Sequence, residues 1–407
     1  MLSKSYWKKG PGLALILTFI MLLSLPIAAG DKDQVFGHKV PEFQEVFLKL
    51  FKLQVNIMSM DQLKTTSAQL SDKERAAISY YLGEEGHKRA REGLPEDKQA
   101  FLDEKYETHT EITPEHDFKK MFPHVLAVAN NNLTSEQLKE TLAGLAPEDM
   151  ASQSFYLGEE GRRVLFTEMT QDRVEIILDN TADWAILETG KRKYDRISDY
   201  TCILYKKEWL GDKYEGRDGL EDQGVEKMLL KFRDKPQGIY AKWLDGPWKG
   251  REALYSEKSL GVGKLRVKES GILGVLPLTL PVDSALAMRG SNHMLTEIGL
   301  KYLIDLIEFN YRKAAKAGHV KRKNHGIVDV DGHKCYKMES ILPRDPSLDY
   351  YCYHMTHYID YIRSLEIKAE VYIWDGSLYE SYYYTQIKIN PGLTDRDFDP
   401  ENPDYNL

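Results

Sequence analysis

The sequence predicts an α+β protein: a helical bundle built on an internal repeat, then a long curved antiparallel sheet with one amphipathic helix over its apolar face. Three observations carry this expectation. Apolar residues recur at helical spacing from Asp31 to about Ile197. Beyond that point strand-like runs follow one another without intervening helices, which favours antiparallel pairing. A single helical stripe, Thr296 to Ala317, interrupts those runs. The implied domains are a leader at 1–30, a helical repeat domain at 31–195 and a β domain at 196–407.

In the leader, Lys4, Lys8 and Lys9 precede an uncharged run from Gly10 to Gly30 whose apolar core is Leu13 to Leu23. This is the pattern of a secretory signal, with small residues for cleavage at Ala28, Ala29 and Gly30. An uncleaved N-terminal anchor is the alternative, for which the run is short. The expected location is therefore the periplasm or the exterior. Loss of the three lysines takes the formal net charge from −8 to −11, which argues against nucleic acid as a partner. Cys202, Cys335 and Cys352 are too few for a disulfide scaffold. Cys335 and Cys352 flank the turn from Pro343 to Ser347, so a hairpin there allows either a bridge between them or two buried thiols.

In the helical half, Phe43, Val46, Phe47, Leu50 and Phe51 mark the first apolar face. A repeat follows at an offset of 75 residues, matching Asp61-Gln62-Leu63-Lys64 to Glu136-Gln137-Leu138-Lys139. Further on, Tyr81-Leu82-Gly83-Glu84-Glu85-Gly86 matches Tyr156-Leu157-Gly158-Glu159-Glu160-Gly161, and Arg162 replaces His87. Ser71 with Glu74, and Thr134 with Gln137, have capping-box spacing. Gly83, Gly86, Gly158 and Gly161 read as helix stops. The adjacent glutamates point different ways on a helix and have no recurring histidine, so they do not read as metal ligands. Thr170 to about Lys193 reads as one more helix.

The strands of the second half read Tyr200 to Trp209, Val225 to Asp234, Gly238 to Leu244, Glu252 to Ser256 and Lys264 to Lys268. After the Thr296 helix, with Leu300, Leu303, Ile304 and Ile307 on its stripe and Gly318 at its end, comes a meander. Its strands are Ile327 to Val330, His333 to Leu342, Tyr350 to Tyr361, Ala369 to Trp374 and Leu378 to Asn390. Simple alternation puts Tyr379, Ser381, Tyr383, Thr385, Ile387 and Ile389 on one face of the last strand.

Several short motifs carry a resemblance. They are Lys207-Glu208, Lys231-Phe232-Arg233, Ile239-Tyr240, Lys242-Trp243, Gly250-Arg251-Glu252, Tyr358-Ile359-Asp360 and Ile389-Asn390-Pro391-Gly392-Leu393 through Asp397-Phe398. With them, Tyr200 to Leu407 resembles the bacterial domain of unknown function 1571. The resemblance implies exported envelope proteins. It also implies an incomplete β-barrel plugged by helices, similar to the lipoprotein carriers of the LolA and LolB type. It implies no activity and no site residues.

Neither G-x-S-x-G, H-E-x-x-H, a Walker loop nor Cys-x-x-Cys occurs, so no enzyme and no cofactor is indicated. Gly261-Val262-Gly263-Lys264 reads as a turn before a strand. His354, His357 and Asp360 are the best metal candidates, but an offset of three on a strand puts the imidazoles on opposite faces, and no metal site is expected. Asp360 and Arg233 are candidates for a buried ion pair. His319, Lys321, Arg322, Lys323 and His325 form a basic cluster, either a solvated loop or a contact with a membrane surface.

What remains is an apolar face: Met228, Leu230, Phe232, Ile239, Ala241, Trp243, Tyr383, Ile387 and Ile389, opposed by Leu303 and Ile307 of the helix. It either is filled by the helix or encloses a lipid or lipoprotein acyl chain. The leading expectation is a non-enzymatic binder of an apolar ligand. The alternative is a structural envelope module whose helical repeat holds another protein. Terminal sequencing of the exported protein should give Gly30 or Asp31 as the first residue; an intact Met1 in the membrane fraction would support the anchor instead.

Overall fold

The structure, a computed structural model, describes residues 34–35, 38–39, 43–106, 118–274 and 276–407. The leader and its cleavage point lie outside the described residues. Nine helices precede the large sheet among the described residues: α1 (Phe43–Ile57), α2 (Met60–Gln69), α3 (Asp72–Arg91), α4 (Glu96–Tyr106), α5 (Phe118–Asn132), α6 (Ser135–Ala143), α7 (Pro147–Glu168), α8 (Gln171–Asn180) and α9 (Asp183–Tyr194). Among them no helix is long and apolar enough to cross a membrane. The single helix expected from Thr170 onward is two, divided at Thr181 and Ala182.

The internal repeat has a structural counterpart. Ser59 caps α2 and Thr134 caps α6 in reciprocal boxes with Gln62 and Gln137, and Ser71 with Glu74 makes a third box on α3. The first two boxes also bond each other. Gln62 Nε2 donates to Asn132 O at 2.7 Å and Gln137 Nε2 donates to Ile57 O at 3.0 Å. Ile57 and Asn132 are themselves related by the repeat offset, so the contact is a local two-fold.

Gly83 and Gly158 take left-handed φ of 62° and 61°, but the helix resumes directly after each. They are kinks rather than stops. Gly86 and Gly161 are not left-handed at all. At Gly161 a Cβ would lie 3.1 Å from Pro123 Cγ, so glycine there permits close approach of α5 and α7.

The eleven strands of the second half are β1 (Asp199–Gly211), β2 (Leu220–Arg233), β3 (Gly238–Asp245), β4 (Glu252–Ser256), β5 (Lys264–Lys268), β6 (Leu278–Pro281), β7 (Lys321–Val330), β8 (His333–Ile341), β9 (His354–Asp360), β10 (Leu365–Tyr372) and β11 (Leu378–Ile389). They form one antiparallel sheet in the order β6-β5-β4-β3-β2-β1-β11-β10-β9-β8-β7. β1 is central. The chain winds outward from it to β6, crosses to the opposite edge, and winds back from β7 to β11.

That crossing must span ten inter-strand steps, roughly 48 Å if the sheet were flat. Helix α10 (Leu300–Lys316) supplies about 25 Å of it and lies over the inner face. Its Leu300 and Leu303 are buried against Tyr200, Leu204, Met228 and Leu230 of the sheet. Helices α1 to α8 instead pack on the outer face at the far end, and α9 runs on to α10, with Tyr194 in the inner-face core. Tyr336 and Met338 of β8 belong to the core of α1 to α8, while the neighbouring Cys335 belongs to the core under α10.

The basic cluster is mostly strand β7, and Arg322 is the joint between the two halves. It donates to Leu178 O (2.6 Å), Thr181 O (2.7 Å) and Tyr336 Oη (2.7 Å), and pairs with Asp183 at 3.0 Å. Lys323 lies 3.7 Å from Glu339, so Lys321 alone of the three is without an ion pair among the described residues. Arg322 is thus unavailable to a membrane surface.

Cys335 and Cys352 are free, buried thiols. The register places Cys335 opposite Asp360, eight residues from Cys352 and roughly 25 Å along the strand, far beyond the ~7 Å that a bridge tolerates. Symmetry about the turn was the wrong measure, because the hairpin ends at Ile341 opposite His354.

Arg322→Met should lower stability by about 3 kcal/mol, since its acceptors lose their donor in a site where the Arg322 side chain is 12% exposed. Urea unfolding of the full chain measures this; a loss below about 1 kcal/mol would show the joint to be solvated.

Candidate functional site

The inner face of the sheet is apolar at one end and ionic at the other. Met228, Leu230, Phe232, Ile239 and Trp243 all point inward and are buried, as alternation along β2 and β3 requires. Leu303 is buried above them; Ile307 and Ile387 pack at the edge of the same core. Tyr383 does not join them. It pairs with Tyr205 on the outer face, ring centroids 5.9 Å apart, while Tyr382 and Tyr384 face inward. A bulge after Thr385, with Gln386 at φ 53°, then shifts the phase and returns Ile387 and Ile389 to the inner side.

The ionic end was not anticipated. Lys206, on the inner face of β1, is fully buried and lies 3.3 Å from Glu208 and 3.2 Å from Glu226. Burial alone would lower its pKa, but the two carboxylates outweigh that and raise it. The segment from Val282 to Gly299, which leads into α10, is held down on this cluster. Lys206 Nζ donates to Ser291 Oγ (3.1 Å), Asn292 N donates to Glu208 (2.8 Å) and Asn292 Nδ2 donates to Glu380 (3.1 Å). Arg251 donates to Arg289 O (3.0 Å) and Leu286 O (3.1 Å), with its charge 3.3 Å from Glu269.

His293 completes the cluster. Its Nε2 lies 2.9 Å from Tyr351 Oη and 3.2 Å from Glu380, and Nδ1 lies 3.8 Å from Glu297. Burial pushes its pKa down, but Glu380, Glu297 and Glu208 reverse this and hold it up at about 10. It is therefore an imidazolium at neutral pH, a cation among carboxylates. Inward alternation along β1 was the signal: Tyr200, Cys202 and Leu204 continue to Lys206 and Glu208.

Two cavities adjoin the cluster, each about 50 Å³. One lies beneath α10, between Leu303 or Ile307 and Tyr382 or Tyr384; the other lies beneath the Val282–Gly299 segment. A water occupies about 30 Å³ of liquid, and a cavity known to bind benzene measures about 150 Å³. With α10 in place, neither admits an acyl chain.

Other sequence candidates are elsewhere. Arg233 pairs with Asp395 (2.9 Å), not with Asp360, which lies 3.3 Å from His333 on the opposite wing of the sheet. His354 stacks on Tyr372 at 4.1 Å, while His357 meets Glu366 and Ser340, both at 2.9 Å. No group of His, Cys, Asp or Glu among the described residues is arranged to hold a metal ion. The motif residues Lys231, Arg233 and Asp397-Phe398 meet in space. Lys231 pairs with Asp397 (2.7 Å) and the Arg233 guanidinium lies 4.7 Å from the Phe398 ring, clasping the C-terminal tail to the outer face.

These features define a class: an antiparallel open sheet whose inner face is plugged by one helix. The chain belongs to the family described as protein of unknown function (DUF1571), which matches residues 197–407. No match was found among curated proteins. Among solved structures, the chain is similar to lipoprotein LppX of Mycobacterium tuberculosis at 14% identity, covering 52% of this chain and 99% of that one, TM-score 0.31. It is similar to a putative outer membrane lipoprotein-sorting protein domain from Vibrio parahaemolyticus at 12% identity, covering 52% and 95%, TM-score 0.27. The Pseudomonas aeruginosa MucA/MucB complex gives 13% identity, 52% and 60% coverage, and TM-score 0.29. Scores of this size establish no property of this chain; its fold is described by its own strand order.

The His293 pKa, near 10 in the folded chain against 6.5 for the free side chain, makes a signed expectation. The stabilisation is complete below pH 6.5 and is lost as pH rises through about 10. Unfolding free energies of the native chain and of His293→Gln, measured between pH 6 and 10, should converge as pH rises. A constant difference would show that His293 is neutral in the fold.

Proposed function

We propose that the protein is an exported, non-enzymatic envelope protein that binds an apolar group, such as a lipid or lipoprotein acyl chain, on the inner face of its sheet. In this reading α10 occupies the site when it is empty and yields to the ligand. The wall is Met228, Leu230, Phe232, Ile239 and Trp243, with Leu303, Ile307 and Ile387 at the helix side. The observation that supports it most is the manner in which α10 is held. It lies on a continuous apolar face through Leu300, Leu303, Ile304 and Ile307, its polar ties such as Glu308 to Lys191 sit at its margin, and Gly299 and Gly318 at its two ends have φ of 103° and 68°, where the chain can change direction. The proposed domain division, 31–195 and 196–407, assigns the ligand to the second unit. The leader assigns the location to the periplasm or exterior.

A specific observation favours a second reading, a structural or protein-binding module. The two cavities at the inner face are each only about 50 Å³, and the helical core continues without interruption into Tyr336 and Met338. Here the helices would hold an envelope protein and α10 would be permanent core.

Leu303→Ala separates the two. A yielding helix should lose about 2 kcal/mol, the low end for a buried leucine, and should bind a fluorescent fatty acid more tightly. A loss near 5 kcal/mol without fatty-acid binding, together with no lipid in organic extracts of envelope-purified protein by mass spectrometry, would leave the structural module.

A further inference from the structure

A cavity of about 110 Å³ lies away from the inner face, between the helical half and the outer side of β8 and β9. Leu126, Leu165 and Ile177 wall it from the helices, and Tyr336, Ile359 and Tyr361 from the sheet side. One cation also lines it. Arg162 is 6% exposed. Among the described residues no carboxylate lies within ion-pair distance of it.

The guanidinium is held instead by two carbonyl groups and, at 3.4 Å, by the Ser154 hydroxyl. Nε donates to Ile362 O at 3.0 Å and Nη1 donates to Ser154 O at 2.8 Å; Nη2 has no acceptor among the described residues. The two nearest acids are already engaged. Glu159 lies 2.8 Å from Lys193 and 3.3 Å from Arg163; Asp360 lies 3.3 Å from His333 and 3.8 Å from Arg363. Burial lowers the Arg162 pKa only to about 10, so the charge persists at neutral pH.

A largely buried cation with no carboxylate in direct contact is costly, and beside an apolar void it is a place where an anion is stabilised. With Nε and Nη1 engaged, Nη2 is the donor left to make a charge-assisted hydrogen bond to a carboxylate oxygen. The repeat sharpens the point, because at the equivalent position in the first copy His87 has Asp103 at 3.8 Å, whereas Arg162 has no such partner.

We propose that this cavity is a binding site for a small apolar anion, a carboxylate on a short hydrocarbon chain, with Arg162 taking the carboxylate and the leucine and tyrosine walls taking the chain. The volume sets the size: it is somewhat smaller than the ~150 Å³ cavity that binds benzene, so about five carbons are accommodated. The site joins the two halves of the chain, so its occupant contacts both. It is separate from the inner face, and failure of either site leaves the other standing.

Isothermal titration of the full chain with pentanoate and with pentanamide tests this, since the two probes differ chiefly in charge. Pentanoate should bind at least tenfold more tightly. Arg162→Met should abolish that preference while keeping pentanamide binding, and Arg162→Lys should restore part of it. Thr189 also lines the cavity. Thr189→Leu, which fills space and leaves the Arg162 side chain in place, should remove binding of both probes while circular dichroism stays unchanged, and it carries the test if Arg162→Met does not fold. Equal affinity for the two probes, no binding of either, or binding indifferent to Thr189→Leu would each overturn the proposal.

Discussion

Lys206 carries a full positive charge buried on the inner face of the central strand, and the arrangement around it follows from that burial. Its counter-charges come from its own strand and from β2, and its remaining donors reach the segment that precedes α10. Burying such a cluster contributes little net stability, because desolvation offsets most of the attraction; removing one member is what costs energy. The cluster therefore acts on arrangement. It holds the approach to α10 in one position, and so determines where that helix meets the sheet.

Topology explains why a helix must be there. A chain that winds out from the centre to one edge and must resume at the other has to cross a face, and a helix crosses with its backbone groups already satisfied. The inner face receives the helix, which leaves the outer face to be covered by other means. At one end the C-terminal tail does so, with Tyr240 and Tyr405 stacked at 3.8 Å and Asn406 bonded to Glu252. At the other end helices α1 to α8 do so, joined through Arg322, while α9 reaches α10 through Lys191 and Glu308.

The two arginines at that joint differ in an informative way. Arg322 meets a carboxylate, carbonyls and a tyrosine hydroxyl, so its charge is neutralised within the chain. Arg162 meets two carbonyls and the Ser154 hydroxyl but no carboxylate, beside a void. A fully compensated cation is a structural tie. A partly compensated one beside space is a place where an anion is stabilised.

Helix and strand segments, the capping boxes at Ser71 and Thr134, and the inward row from Met228 to Trp243 were legible in the sequence, because each depends on neighbours within a few residues and on a fixed period. Even the crossing helix was readable from its stripe. The phase of β11 was not, since a bulge at Gln386 resets alternation and nothing local announces it. Whether Cys335 and Cys352 are bridged or are two buried thiols was not legible either, because their separation follows from the hairpin's register, and the structure shows free thiols. Strand order, the gathering of Lys206, Glu208, Glu226, His293 and Glu380, and the partners of Arg322 and Arg162 were decided only in three dimensions. They join residues up to about two hundred positions apart, and charge compensation depends on which of those residues meet.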